Sequence, residues 1–376
     1  MTQLSHSISL SDVFVRSATL DDVTRLIEIE NSAFSGDRLS RRSFRHAIKS
    51  QGAALLVAVA DGVLGYALLH LRQGTRLARL YSLAVSPEAR GLGVAKTLLL
   101  AIEKQAMKQG KSLLRLEVSE KNSQAIQLYS KLGYREFGHY QAYYEDATDA
   151  LRMQKVLRPG QEVPSSRRVP WLAQGTPFTC GPASLQMVLS TLDDGYQATP
   201  DKELDIWREA TTIFMTSGHG GSHPMGLALA AKKRGLKAEV CLSQTEPLFV
   251  DGVRDELKKD VIIRVHVSFT RQCEQQSVPV QYEALAMQAL TTAFDQGKLA
   301  IILISTYRMD GKKAPHWVVM SGYDEHNIYV HDPDYEANDQ LQNEMDCQYV
   351  PIARKEFEKM SRFGQKRLQA IVLLWV

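Results

Sequence analysis

The sequence has only four cysteines among 376 residues (Cys180, Cys241, Cys273 and Cys347), and none sits in a Cys-x-x-Cys pair. That excludes a disulfide framework and leads us to expect a reduced, cytoplasmic setting. No stretch approaches the ~20 apolar residues that a membrane span needs. The first residues, MTQLSHSISLSDVF, lack the basic start and apolar run of a signal peptide, so no membrane association is expected. Internal repeats and low-complexity tracts are also missing. At 44% hydrophobic and 23% charged residues, the chain is neither disordered nor collagenous, and its length suggests more than one domain.

Charge is unevenly distributed. Through Arg158 there are 22 Lys and Arg against 15 Asp and Glu, a balance of +7; the remainder has 23 against 27, or −4. The first part is therefore the candidate binder of an anionic ligand, and the second has no reason to seek nucleic acid. An uneven solvated surface is the plain alternative.

The first part alternates apolar strands and amphipathic helices. Strands are expected at residues 13–16, 53–59, 65–71, 79–85 and 112–118, and helices at 21–34, 95–109 and 123–132. The last two helices are closed by Gly110 and Gly133. Residues 158–168, RPGQEVPSSRR, carry Pro, Ser and charge without periodicity and read as a linker. The domains expected are thus 12–157 and 169–376. In the second, helices are expected from Cys180 and at 225–234 and 283–296. Strands are expected at 261–267, 299–305, 317–323, 328–331 and 368–374, an α+β pattern.

One run leads from strand through loop into helix: Leu83, Ala84, Val85, then Arg90, Gly91, Leu92, Gly93, Val94, Ala95, Lys96. The glycines let backbone approach a ligand, and the helix start aims N–H groups at the same point, an anion cradle suited to a pyrophosphate. No Gly-Lys-Ser/Thr ends the run, so it is not a Walker A loop. Arg90–Ala95 resembles the acetyl-CoA motif of the GNAT N-acetyltransferases. Leu116-Glu117-Val118, Asn122, Leu128-Tyr129 and Leu132-Gly133-Tyr134 resemble that family's next motif. The similarity is to the ribosomal-protein-alanine acetyltransferases and extends to Tyr143-Tyr144. It implies a GNAT fold (a mixed, mostly antiparallel sheet flanked by helices) with acetyl-CoA as co-substrate. It further implies that Glu117 is the base that deprotonates an amine, Tyr129 the acid for the departing thiolate, and Asn122 a cofactor contact. Read without the resemblance, Glu117 is a strand carboxylate and Tyr129 a core residue.

In the second domain, Gln174 precedes Cys180-Gly181-Pro182-Ala183 by a short spacer. Pro182 is tolerated early in a helix, which puts Cys180 at a helix N-terminus, where thiolate is favoured. Its base would be His316, opening the strand His316–Tyr323, and the orienting acid Asp332, after a following strand. His331 competes, but it should face the other way. The other three cysteines read as buried hydrophobes. His219 and His223 lack further ligands to complete a metal site, and no metal is expected.

These segments resemble the peptidase C39-like branch of the papain-like cysteine peptidases over about 170–376. The resemblance implies an α+β papain-like fold, with Gln174 and the Cys180 amide as oxyanion donors. Neither the membrane span nor the ATPase of the transporter-associated members is present. The expectation is a bifunctional enzyme, an N-acetyltransferase joined to a cysteine peptidase or amidase, acting on a peptide or small protein. Two rivals stand beside it: a second half that is a peptide-binding module, or one that transfers an acyl group rather than hydrolysing it. Related fusions also suggest an ATP-grasp peptide ligase partner.

Overall fold

A computed structural model describes residues 13–157, 165–212, 214–215, 218–251, 253–311, 314–335 and 344–376. The chain divides into two compact units, with the division falling at Gln161/Glu162. Residues 158–164 of the expected linker lie outside the described residues. Its last part does not connect passively, because Ser165 and Ser166 pair with Tyr323 and Gly322 and so join the second unit's sheet.

The first unit runs β1 (Phe14–Ser17), α1 (Val23–Ala33), α2 (Arg41–Lys49), β2 (Ala53–Val59), β3 (Val63–Leu71), β4 (Leu77–Val85), α3 (Val94–Lys108), β5 (Leu113–Ser119), α4 (Ser123–Lys131), β6 (Arg135–Tyr140) and β7 (Ala150–Val156). The strands form one sheet in the order β1-β2-β3-β4-β5-β7-β6, antiparallel except for β4 and β5. This is the mixed, mostly antiparallel sheet that was expected. One core packs α3 on the sheet through Val94, Leu98, Leu99 and Ile102. The other packs α1 and α2 on the opposite face through Leu26, Ile29 and Phe44. Helix α2 had no counterpart in the sequence reading; Ser40 caps it, its hydroxyl accepting from the Ser43 amide at 3.0 Å.

The second unit begins at β8 (Ser165–Ser166), followed by α5 (Cys180–Leu192), α6 (Pro200–Ala210), the short pair β9 (Phe214–Met215) and β10 (Gly218–His219), α7 (Pro224–Lys233), β11 (Lys237–Leu242) and α8 (Glu256–Gln275). Then come β12 (Val280–Gln281), α9 (Met287–Asp295), β13 (Leu299–Ser305), α10 (Tyr307–Asp310), β14 (Pro315–Tyr323), β15 (Asn327–His331), β16 (Val350–Ala353), α11 (Arg354–Met360) and β17 (Ala370–Trp375). The main sheet has the order β12-β11-β17-β13-β14-β15-β16 and is antiparallel apart from β11 with β12. Helices α5 and α7 share one apolar core with it.

One expected strand, 261–267, is instead the middle of α8. Its β-branched run suggested a strand, but Ile262, His266, Phe269 and Cys273 are the buried positions, spaced three or four apart. Burial of that helical stripe outweighs local propensity. The expected helix at 283–296 begins only at Met287.

Candidate active sites

In the first unit, β4 and β5 pair only from Leu77 with Leu113 to Leu80 with Leu116. Beyond that point β4 continues to Val85 and β5 to Ser119, leaving a gap flanked by Leu83, Ala84 and Val85 on one side and Glu117 on the other. Just before the gap, the β3–β4 register slips so that Tyr81 is an extra residue on β4. A bulge of this kind re-aims side chains at a strand's end.

The chain then turns through Arg90–Gly93 into α3. Gly91 and Gly93 have φ of +80° and +82°, which L residues with a side chain rarely adopt. The first backbone bond of α3 runs from the Thr97 amide to the Gly93 carbonyl, so the amides of Val94, Ala95 and Lys96 precede the ladder. Arg90 and Lys96 are exposed beside them. Open amides, glycine backbone and two cations fit the phosphates of acetyl-CoA. Asn122 uses its side-chain oxygen differently from the expectation. That oxygen accepts from the Ala125 amide at 3.1 Å and caps α4, which leaves only its NH₂ for a ligand.

Glu117 is enclosed, its side chain 5% exposed, and Oε2 accepts from Arg79 Nε at 2.8 Å and from Nη2 at 2.6 Å. Oε1 is buried with no hydrogen-bond partner. Arg79 also donates to Tyr143 Oη at 3.2 Å. Burial, and then the Glu117 charge, raise Tyr129 well above the ordinary tyrosine value. Tyr144 is raised by the same two causes, in the same order, and Tyr81 by burial, so these hydroxyls keep their protons. Asp37, on the loop after α1, and Glu145, after β6, exchange backbone N–H to carboxylate bonds of 3.3 and 3.4 Å. Arg79 and Tyr81 escaped the sequence reading because a strand arginine and an unpredicted bulge carry no local signal.

In the second unit, Cys180 is the first residue of α5, and Pro182 lies within the first turn. A Cβ at Gly181 would meet Ser222 Cβ at 2.9 Å and Trp317 Cδ1 at 3.2 Å. Only glycine lets the helix start lie this close to β14. Ser184 Oγ donates to the Trp317 carbonyl at 3.2 Å and ties α5 to the same strand.

β14 and β15 pair with Val319 opposite His331, and continuing that register brings Asp332 diagonally opposite His316 on one face. His316 Nε2 lies 2.6 Å from Asp332 Oδ1, both buried. Cys180 makes the other side-chain hydrogen bond to the imidazole. Burial opposes charge on His316, but the Asp332 carboxylate and the bonds to Asp332 and Cys180 outweigh it and raise His316 well above its ordinary value. His331 turns away, its ring against Tyr349 at 4.4 Å between centroids.

Gln174 reaches the acid end of this array. Its amide N–H donates to the Pro333 carbonyl at 2.9 Å and its side-chain Nε2 to Asp334 Oδ1 at 3.2 Å. Trp171 Nε1 donates to the Asp332 carbonyl at 2.7 Å. His223 is no isolated ligand, since Nδ1 accepts from the Met225 amide at 3.2 Å and caps α7. Its Nε2 lies 3.1 Å from Nδ1 of His266, a residue the sequence reading placed on a strand. The side chain of His219 lies outside the described residues.

Residues 169–375 match the model of the Peptidase_C39 like family, and residues 21–134 that of the Acetyltransferase (GNAT) family. An N-alpha-acetyltransferase of Sulfurisphaera tokodaii is 34% identical over 156 residues, covering 38% of this chain and 92% of the relative. A ribosomal protein bS18-alanine N-acetyltransferase of Haemophilus ducreyi is 32% identical over 126 residues, 33% of this chain and 83% of its own. The crystal structure of the ribosomal-protein-S18-alanine N-acetyltransferase from Escherichia coli aligns at 25% identity and a TM-score of 0.36, covering 40% of this chain and 97% of that one.

Proposed function

Because the chain belongs to the Acetyltransferase (GNAT) family in its first part and to the Peptidase_C39 like family in its second, we propose that it acetylates a peptide or protein amine at Glu117 and opens a peptide or amide bond at Cys180. The second activity rests on one observation above all, the buried contact of His316 with both Asp332 and Cys180.

At the first site, Oε1 of Glu117 accepts the amine's proton, because Oε2 is held by Arg79. The amides of Val94, Ala95 and Lys96, with Arg90, hold the phosphates of acetyl-CoA, which supplies the acetyl group. Tyr129, still protonated, supplies the departing thiolate with its proton. The relatives' names, N-alpha-acetyltransferase and ribosomal-protein-alanine acetyltransferase, support a peptide α-amine as acceptor.

At the second site, His316 holds the thiol's proton while Cys180 attacks a carbonyl, then returns it to the leaving amine. Asp332, accepting from Nε2–H, directs the other ring nitrogen to sulfur. The Cys180 amide and Gln174 NH₂ donate to the oxyanion. Hydrolysis at this site frees an amine, the class of group that the first site consumes.

The test is a pair of single variants in the full chain. Glu117→Gln should lose acetyl transfer to a peptide amine by ~10²–10⁴ and retain acylation of Cys180 by p-nitrophenyl acetate. Cys180→Ala should do the reverse. A Cys180→Ala variant that still acquires the acetyl label at the second site would remove the cysteine from the mechanism.

A further inference from the structure

The Asp332-Pro333-Asp334 segment touches both halves of the second site. Asp332 carries the bond to His316, while the Pro333 carbonyl and the Asp334 carboxylate both accept from Gln174. Asp334 is itself fixed along its backbone, its amide donating to Asp332 Oδ1 at 3.0 Å and its carbonyl accepting from Cys347 Sγ at 3.4 Å. On the other side of Gln174, the Gly175 amide donates to Glu203 Oε1 at 2.8 Å. The backbone of the glutamine is thus held at two points, and its side chain by Asp334.

A side-chain amide is nearly symmetrical in shape and opposite in polarity at its two ends. Packing alone cannot tell Oε1 from Nε2, but an ionised carboxylate can, because it only accepts. Asp334 therefore admits the orientation with nitrogen toward it, and one N–H of the NH₂ group is spent there. The second N–H stays available, and Oε1 is left buried without a partner. Leaving a buried acceptor unsatisfied is costly, so something must hold the amide this way round.

We propose that Asp334 is a positioning residue that fixes the amide of Gln174 so that its second N–H is presented to the oxyanion formed at Cys180. This rests on the reading of Cys180 as a nucleophile. It goes beyond that reading by assigning the orientation of the oxyanion donor to a residue outside the triad.

The probe is p-nitrophenyl acetate in single turnover with the full chain. Cys180 sulfur bonds to the acetyl carbon, a tetrahedral oxyanion forms, the C–O bond breaks and p-nitrophenolate leaves; water then frees acetate. Iodoacetamide is the control, since alkylation displaces iodide from saturated carbon and forms no oxyanion. Gln174→Ala should slow p-nitrophenolate release by roughly 10²–10³. Asp334→Asn, nearly identical in shape but able to donate, lets the amide turn over and should slow release by at least about tenfold. The double variant should be no slower than Gln174→Ala alone, because the proposed effect of the Asp334 carboxylate on the oxyanion runs through that side chain. Alkylation of Cys180 should stay at the parent rate in all three, which also reports a folded site. Should Asp334→Asn not fold, Asp334→Ser tests the same loss of an acceptor-only group. Unchanged release in the Asp334 variants, or effects that multiply in the double variant, would overturn the proposal. A parent that releases p-nitrophenolate no faster than Cys180→Ala would instead remove the nucleophile, and the proposal with it.

Discussion

The buried pair of His223 and His266 makes the second unit's stability depend on pH in a direction that can be worked out. Burial lowers both, with the neighbouring His266 adding to the effect on His223. Folded values below the unfolded one mean that the unfolded chain binds more protons as pH falls. Their contribution is therefore present above about pH 6.5 and lost below it. A histidine held neutral throughout withdraws about 1.4 kcal/mol from folding between about pH 7.5 and 5.5, so about 2.7 kcal/mol is the ceiling for the pair. His316 runs the other way. Its folded value is raised, so its contribution is complete below the unfolded value and lost as pH rises. In the parent chain it therefore offsets part of that loss on the same descent. The measurement is urea unfolding on a Cys180→Ala background, which takes out the thiol and, with it, the Cys180 share of the rise in His316. All four tryptophans (Trp171, Trp207, Trp317 and Trp375) lie in the second unit, so their fluorescence reports it alone. His266→Gln should flatten the profile. Equal slopes in the background chain and the His266→Gln variant would refute the buried neutral pair.

In the folded chain, iodoacetamide should modify Cys180 first. It retains 8% exposure against 3% or less for the others, and burial pushes Cys241 and Cys273 up to about 11 and about 12. Peptide mapping should show His316→Ala slowing that labelling and Asp332→Asn slowing it less; uniform labelling of all four would discard the triad. Calorimetry should find acetyl-CoA binding that weakens as salt rises. Gly93→Glu should abolish it, since a negative side chain at a left-handed position both strains the turn and repels phosphate; unchanged affinity would place the cofactor elsewhere.

What was legible in the sequence is what chemistry restricts to particular residue types at particular spacings. The Gly91–Gly93 turn needs left-handed backbone, and the start of α5 needs Gly181 against Trp317; both were visible as motifs. So was the hairpin that carries His316 and Asp332, because two apolar strands flank a short turn. What tertiary packing decides was not legible. The 261–267 run became helix because four of α8's residues bury a stripe on the core. That misassignment hid His266, which as a strand residue had no route to His223. Arg79 reaches Glu117 across paired strands, a relation set by sheet order, and Asp334 meets Gln174 by a hydrogen bond across 160 positions of sequence.

In the mechanism proposed above, the two sites meet the same demand from opposite sides. Acyl transfer needs a nucleophile freed of its proton and an acid to meet the leaving group. In the first unit the nucleophile arrives with the substrate, so the protein keeps a carboxylate whose one open oxygen faces no partner, while Arg79 stabilises the other. In the second the nucleophile belongs to the chain, and a carboxylate alone would not suffice, because the same group must later protonate an amine. On that proposal an imidazole held by Asp332 would do both, and the carboxylate moves one step back, from base to orienter. In the proposed scheme the buried acids Glu117 and Asp332 therefore hold different ranks: the first would accept the substrate's proton, and the second would act on the thiol through His316.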